Sequence, residues 1–188
     1  MHRQRPHWSY SSISQYLTCP LRYYFQRIRC LPQPTVSSGL VLGSAVHAAL
    51  AEYHKGIQNG TGSRRDEIQR AYSESWNERD NSVIAYKDSE SRQDLFDQGM
   101  ALVDLYLKEP PPERIVAVEQ PMMAPVKTSR GEYLETPLLA VADLIVAADD
   151  GLVVREFKTS ARAYASGEAA ASLQPTCYVH AVEEAYGE

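Results

Sequence analysis

Apolar residues recur with a helical period over most of the first 110 positions and with a strand period after that. Residues 12–29 predict an amphipathic helix, with Ile13, Leu17, Tyr24 and Ile28 at helical spacing and Pro20 as a kink or split. Ser12 and Gln15 have the spacing of a capping box at its start. Residues 31–38 read as a Pro- and Ser-containing loop. A second helix is predicted from about Gly39 to Gln58, with a buried stripe of Leu42, Val46, Ala49, Leu50 and Tyr53. Helices over 64–79 and 90–108 follow, joined by a polar link at 80–89 and closed by Pro110-Pro111-Pro112. Beyond the prolines, residues 114–127, 133–148 and 151–159 are rich in Val, Ile and Leu and read as strands. Residues 168–186 return to a helical pattern. Helices, then strands, then a helix predict an α/β (α+β) fold with a mixed central sheet flanked by helices. At 188 residues the expectation is a single domain. Residues 1–110 would be mainly helical, and 113–188 would hold the sheet core and a last helix.

The pattern fails at three places, and the failures are informative. In residues 138–159, LLAVADLIVAADDGLVVREFKT, both strands are apolar on both faces, as in central, doubly covered strands. Asp143, Glu156 and Lys158 interrupt them. A buried charge costs several kcal/mol unless it is paired or bound to metal. If Asp149-Asp150 is the two-residue loop, Asp143 lies opposite Glu156. If Asp150-Gly151 is the loop, Asp143 lies opposite Lys158 with Glu156 diagonal. In either register all three side chains leave the same face of the sheet. Two carboxylates about 5 Å apart repel unless a proton or cation sits between them. Oxygen ligands suit a hard ion such as Mg²⁺ or Mn²⁺. A lysine beside them can orient or deprotonate an attacking water and steady charge on a phosphate. The structural alternative is a buried Asp–Lys ion pair.

Composition narrows the class. Hydrophobic residues make up 44% and charged residues 23%, a globular balance, and no apolar run approaches membrane-spanning length. With no signal segment, the sequence points to the cytoplasm. The net charge is −5, but residues 1–51 hold five arginines, including Arg22 and Arg27, and all 24 acidic residues come later. Phosphate binding needs a local positive surface, not a positive total. Cys19, Cys30 and Cys177 are odd in number and widely spaced, and form neither a disulfide framework nor a zinc motif.

The strand–turn–strand pattern D…E-x-K resembles the core of the PD-(D/E)xK nucleases, and further segments resemble their RecB-like exonuclease branch. Ser11 to Pro20, followed by Tyr23-Tyr24-Phe25, is similar to that branch's opening motif. Gly43-Ser44-Ala45-Val46-His47 is similar to its G-x-x-x-H helix, and Val118-Glu119-Gln120-Pro121 to the strand before the core. Gln174-Pro175-Thr176-Cys177-Tyr178 matches its Q-x-x-x-Y element. These segments keep the family's order from residue 11 to residue 178.

The resemblance implies a restriction-endonuclease-like fold and a metal-dependent DNA nuclease, an exonuclease acting in repair, recombination or related DNA processing. It implies His47, Asp143, Glu156 and the backbone carbonyl of Phe157 as metal ligands, with Asp143, Glu156 and Lys158 catalytic. Gln174 and Tyr178 would hold the DNA strand or the site's geometry. Arg22, Arg27 and Tyr23 would guide the backbone and stack bases. Gly43, one turn before His47, would let another element come close. Glu119 reads equally as a strand-edge charge or as a group supporting the ligands. Some relatives, including CRISPR-associated and AddB-type proteins, carry a [4Fe–4S] cluster. Cys19 is its one candidate ligand here, and with three cysteines in the chain no cluster is expected. Relatives usually continue with a further strand and helix after Q-x-x-x-Y, so a C-terminally truncated domain is a further expectation. DNA is the expected partner, with a helicase or CRISPR-adaptation protein as a second. The rival functions are a weakly active DNA-binding scaffold and a hydrolase of small phosphoesters.

Overall fold

A computed structural model describes residues 7–79, 83–88, 90–160, 167 and 171–187. Residues 168–170 of the expected last helix, parts of the 80–89 link, and Arg3 and Arg5 lie outside them. The elements are α1 (Tyr10–Thr18), α2 (Pro20–Tyr23) running into a π-helical turn (Tyr24–Ile28), β1 (Val36–Ser37) and α3 (Ser38–Gln58). They continue with α4 (Arg65–Asn77), β2 (Ile84–Ala85), α5 (Arg92–Tyr106), β3 (Ile115–Val118) and β4 (Pro121–Ala124). The last are β5 (Leu138–Val141), β6 (Leu144–Ala148), β7 (Gly151–Arg155) and α6 (Leu173–Tyr186). No described helix is long and apolar enough to cross a membrane.

The described residues form two compact units. Of the described residues, the first holds 7–33, 120–142, 167 and 171–187, and the second 34–79, 83–88, 90–119 and 143–160. Each therefore draws on both the helical and the strand-rich part of the sequence.

In the second unit α3 is the central element. Val41, Leu42, Ala45, Val46, Ala49 and Leu50 are buried against Ile68, Tyr72 and Trp76 of α4 and Leu95 and Val103 of α5. Tyr53 is partly buried at the margin of this cluster. The packing leaves no slack: a Cβ on Gly99 would stand 2.1 Å from the Tyr72 hydroxyl and 2.6 Å from Leu42. That hydroxyl donates to the Phe96 carbonyl at 3.0 Å. Strands β3, β6 and β7 form an antiparallel sheet in that order. Ala51 of α3, Val118, Leu144 and Val146 bury together against it. β1 and β2 make a short parallel pair.

In the first unit α1 begins at Ser9, not Ser12. Ser9 is the N-cap, and its amide and hydroxyl pair reciprocally with Ser12. The capping box is therefore three residues earlier than the Ser12–Gln15 reading. Pro20 splits the helix as expected, because Cys19 takes an extended conformation and caps α2. β4 pairs with β5, and α6 packs on both. Trp8 bridges to Leu138, exchanging backbone hydrogen bonds with Pro137 and Leu139.

Two strand expectations need correction. The runs 114–127 and 133–148 each divide into two strands, so β3 and β6 share one sheet while β4 and β5 form another. The first division falls at Glu119, whose φ of +46° no extended strand can hold. The second correction concerns coverage. β6 is central and buried, with Leu144, Ile145 and Val146 almost fully covered. β7 pairs only with β6 among the described strands and is half-exposed, with Val153 open to solvent. Its apolar run reflects β-branched content rather than two covered faces.

Candidate metal centre

The site assembles where the three-stranded sheet meets α3. Residues 144–148 pair with 155–151, so Asp149-Asp150 is the turn and the first of the two registers is the one adopted. Continued one step past the last pair, that register sets Asp143 opposite Glu156. Both residues thus stand at the strand ends, where the ladder stops and side chains can turn toward the helix.

His47 sits on α3, and its Nδ1 lies 3.0 Å from Asp143 Oδ1. The other Asp143 oxygen accepts the Phe157 backbone N–H at 2.7 Å. The Asp143 backbone carbonyl accepts the Glu119 N–H at 3.1 Å. Glu119 holds the left-handed φ noted above, a conformation that costs a non-glycine residue of order 1 kcal/mol or more and persists where surrounding contacts impose it. One ligand atom from each of His47, Glu119 and Asp143 falls within 4.8 Å of the others. Glu156 Oε1 lies 2.5 Å from Lys158 Nζ.

The electrostatics match a cation site. The hydrogen bond to Asp143 raises the His47 pKa, against the opposing effect of burial, with Asp143, Glu156 and Glu119 adding their negative field. Burial pushes the Asp143 carboxyl up, but hydrogen bonds from His47 and the Phe157 amide outweigh it and hold the pKa below the usual range. An imidazole and two carboxylates, half-buried, make a nitrogen-and-oxygen donor set that a divalent metal fits.

Behind the site, His54 is completely buried two turns further along α3. Burial lowers its pKa to about 4, with the Leu50 backbone carbonyl partly opposing. Its ring stacks on Phe157, and its Nε2 lies 3.0 Å from the Tyr106 hydroxyl.

The structure brings together His47, Asp143, Glu156, Phe157 and Lys158 within the second unit. Gly43 faces Thr159, whose Oγ1 would stand 3.1 Å from an added Cβ, so the glycine does permit a close approach. The sequence underweighted Glu119. Its signal was available: a carboxylate ending a buried apolar strand, directly before Gln120-Pro121.

The remaining candidates lie in the first unit. Gln174 and Tyr178 share a face of α6, where the Gln174 amide donates to the Tyr178 hydroxyl at 2.7 Å. Arg22 is exposed, and Arg27 donates to Gln15 at 2.8 Å. Tyr23 is buried, with the Tyr16 ring edge-on to it, and lines an apolar cavity of the same unit. Tyr16, Tyr24 and Phe25 are the exposed aromatics there. Cys19 is half-buried, and its Sγ accepts the Arg22 N–H at 3.4 Å. The Cys-Pro pair is thus a helix start, with proline in the first turn.

Residues 7–188 match the sequence family of the PD-(D/E)XK nuclease superfamily. The chain belongs to that superfamily. Its mixed α/β arrangement of helices and small sheets agrees with a restriction-endonuclease-like nuclease fold. Nucleases of this superfamily use divalent metals, and the His47, Glu119 and Asp143 cluster supplies a group of ligands for one. No curated protein and no solved structure matched the chain.

Proposed function

We propose that the chain is a Mg²⁺- or Mn²⁺-dependent deoxyribonuclease of the RecB-like branch, acting as an exonuclease in repair, recombination or related DNA processing. The observation that carries this reading is the convergence of His47, Glu119 and Asp143 beside the Glu156-x-Lys158 strand end. His47 and Asp143 would hold the ion, with Glu119, Glu156 and the Phe157 carbonyl as the remaining protein donors. The ion supplies Lewis-acid polarisation of the phosphodiester.

The chain's own groups do the rest. The Phe157 amide fixes one Asp143 oxygen and leaves the other directed at His47. Glu156 holds the Lys158 ammonium at the strand end. From there the ammonium can neutralise charge that develops on the phosphate oxygens during attack. In the first unit, Gln174, Tyr178, Arg22, Arg27 and Tyr23 are the proposed DNA-holding groups, with the exposed rings of Tyr24 and Phe25 beside Tyr23 open to bases. A helicase or a CRISPR-adaptation protein is the proposed partner class, and the cytoplasm the proposed compartment.

The test is degradation of end-labelled single- and double-stranded DNA in Mn²⁺, with chelator controls. The expected result is metal-dependent loss of label that disappears in a Glu156→Ala, Lys158→Ala double variant. Unchanged activity in that variant would refute the site. Tight DNA binding by a wild-type chain that never cleaves would instead identify a scaffold, and turnover of small phosphoesters alone a different hydrolase.

A further inference from the structure

Helix α3 meets the segment after β7 at three points. Gly43 lies against Thr159. One turn on, His47 reaches Asp143, which in turn holds the Phe157 amide. Seven residues beyond His47, and so on the same helical face, His54 stacks on the Phe157 ring with centroids 5.6 Å apart and planes within 1°. Tyr106 of α5 closes the box. Its ring stands edge-on to Phe157 at 5.2 Å and its hydroxyl meets His54 Nε2 at 3.0 Å. His47 also presents its ring edge-on to Phe157, at 6.5 Å.

These contacts form a closed circuit: His47 to Asp143, Asp143 to the Phe157 amide, the Phe157 ring to His54, and His54 back along α3 to His47. Phe157 is the residue between Glu156 and Lys158, so whatever fixes its backbone also fixes the directions of its two neighbours. A hydrogen bond from a backbone amide sets a carboxylate's orientation only as well as that amide is itself held. Here a ring clamped on two sides does the holding.

We propose that His54 and Tyr106 are positioning residues for the metal centre: by clamping the Phe157 ring they aim its amide at Asp143 and so preset the carboxylate for the ion. The proposal rests on the nuclease reading above and extends it to two residues that touch neither metal nor substrate. Groups that orient a ligand through a hydrogen bond characteristically change metal affinity or activity by about 10- to 100-fold when removed.

The experiment measures Mn²⁺ binding to the whole chain by calorimetry, with thermal unfolding and DNA cleavage followed in parallel. The expected result for His54→Ala is Mn²⁺ affinity reduced roughly tenfold or more. Tyr106→Phe, which loses only a hydroxyl and keeps the fold safe, shifts affinity in the same direction by less. His54→Phe retains the stacked ring and recovers most of the loss. Tyr72→Phe serves as the control, because it removes a hydrogen bond to the Phe96 carbonyl within the same unit without touching Phe157. It is expected to lower the melting temperature and leave Mn²⁺ affinity unchanged. Wild-type Mn²⁺ affinity in folded His54→Ala and Tyr106→Phe overturns the positioning role while leaving the nuclease reading intact. A wild-type chain that neither binds Mn²⁺ nor cleaves DNA overturns both.

Discussion

Residues 143–158 and residues 10–28 both depart from the rule that apolar groups go inside and charges outside, and they depart in opposite directions. In the first segment, charged groups are drawn in: Asp143 and Glu156 are half-buried, yet each meets a cation, an amide or a histidine. In the second, apolar groups are turned out. Gln15, Gln26 and Arg27 bond to one another, while Leu17 and Leu21 are 70% and 62% exposed and Tyr24, Phe25 and Ile28 also face solvent. The lesson is that burying a charge leaves a record of compensating contacts, whereas exposing a leucine leaves none. The first departure therefore specifies a chemistry, and the second does not.

The units differ in packing as well. Around α3 no atom can be added at Gly99. The first unit instead holds an apolar cavity of about 660 Å³, lined by residues that include Trp8, Ile13, Tyr16, Tyr23, Leu138 and Leu173. One tryptophan reports on each unit, Trp8 on the first and Trp76 on the second, so single-tryptophan variants can follow them separately by fluorescence.

The largest expected effect tests the charged segment. Asp143→Asn keeps the side chain's shape but removes its charge, and DNA cleavage should fall by about 10³-fold or more, comparable to loss of a principal electrostatic group. The Trp76 unfolding transition should persist. Equal cleavage by the variant would remove the segment's claim to chemistry.

Next in size is acid lability of the second unit. His54 is neutral in the fold, with a pKa of about 4 against an ordinary 6.5. The unfolded chain therefore binds a proton that the folded chain refuses. This stability is fully present above about pH 6.5 and is lost as pH falls toward 4, by about 3 kcal/mol in all. Urea unfolding read at Trp76 should show that decline, and His54→Phe should flatten it relative to wild type. Parallel slopes in the two proteins would mean that other groups carry the acid sensitivity.

Smaller again is the packing contrast. Gly99→Ala should destabilise the second unit by about 2 kcal/mol, because overpacking at Tyr72 outweighs the helix-propensity gain. Ile13→Phe, which adds volume at the cavity, should shift the first unit by less than about 1 kcal/mol. Equal penalties would erase the difference in packing between the units.

Much of this was legible in the sequence. The helical stripe of α3 was, because five apolar positions at one period can bury only one way. The parity of Asp143 and Glu156 was too, because both candidate hairpin loops had even length. Inside and outside were harder. Leu17, Tyr24 and Ile28 have the spacing of a buried stripe, but period alone does not say which way a stripe faces once Cys19 breaks the helix. The strand divisions were hidden because nothing in the residues near Glu119 demands a positive φ; tertiary contacts impose it. Glu119 itself was visible as an acid at a strand end, but its approach to His47 and Asp143 depends on that bend. The role of His54 lay in its spacing of seven from His47, and becomes readable only once Phe157 is seen beneath its ring.

The most direct test is a crystal structure grown with Mn²⁺ and recorded at a wavelength where manganese scatters anomalously. The account predicts an anomalous peak bounded by His47, Glu119 and Asp143, with ligand distances a little over 2 Å. Manganese bound elsewhere, or His47 and Asp143 separated with no ion between them, would contradict it.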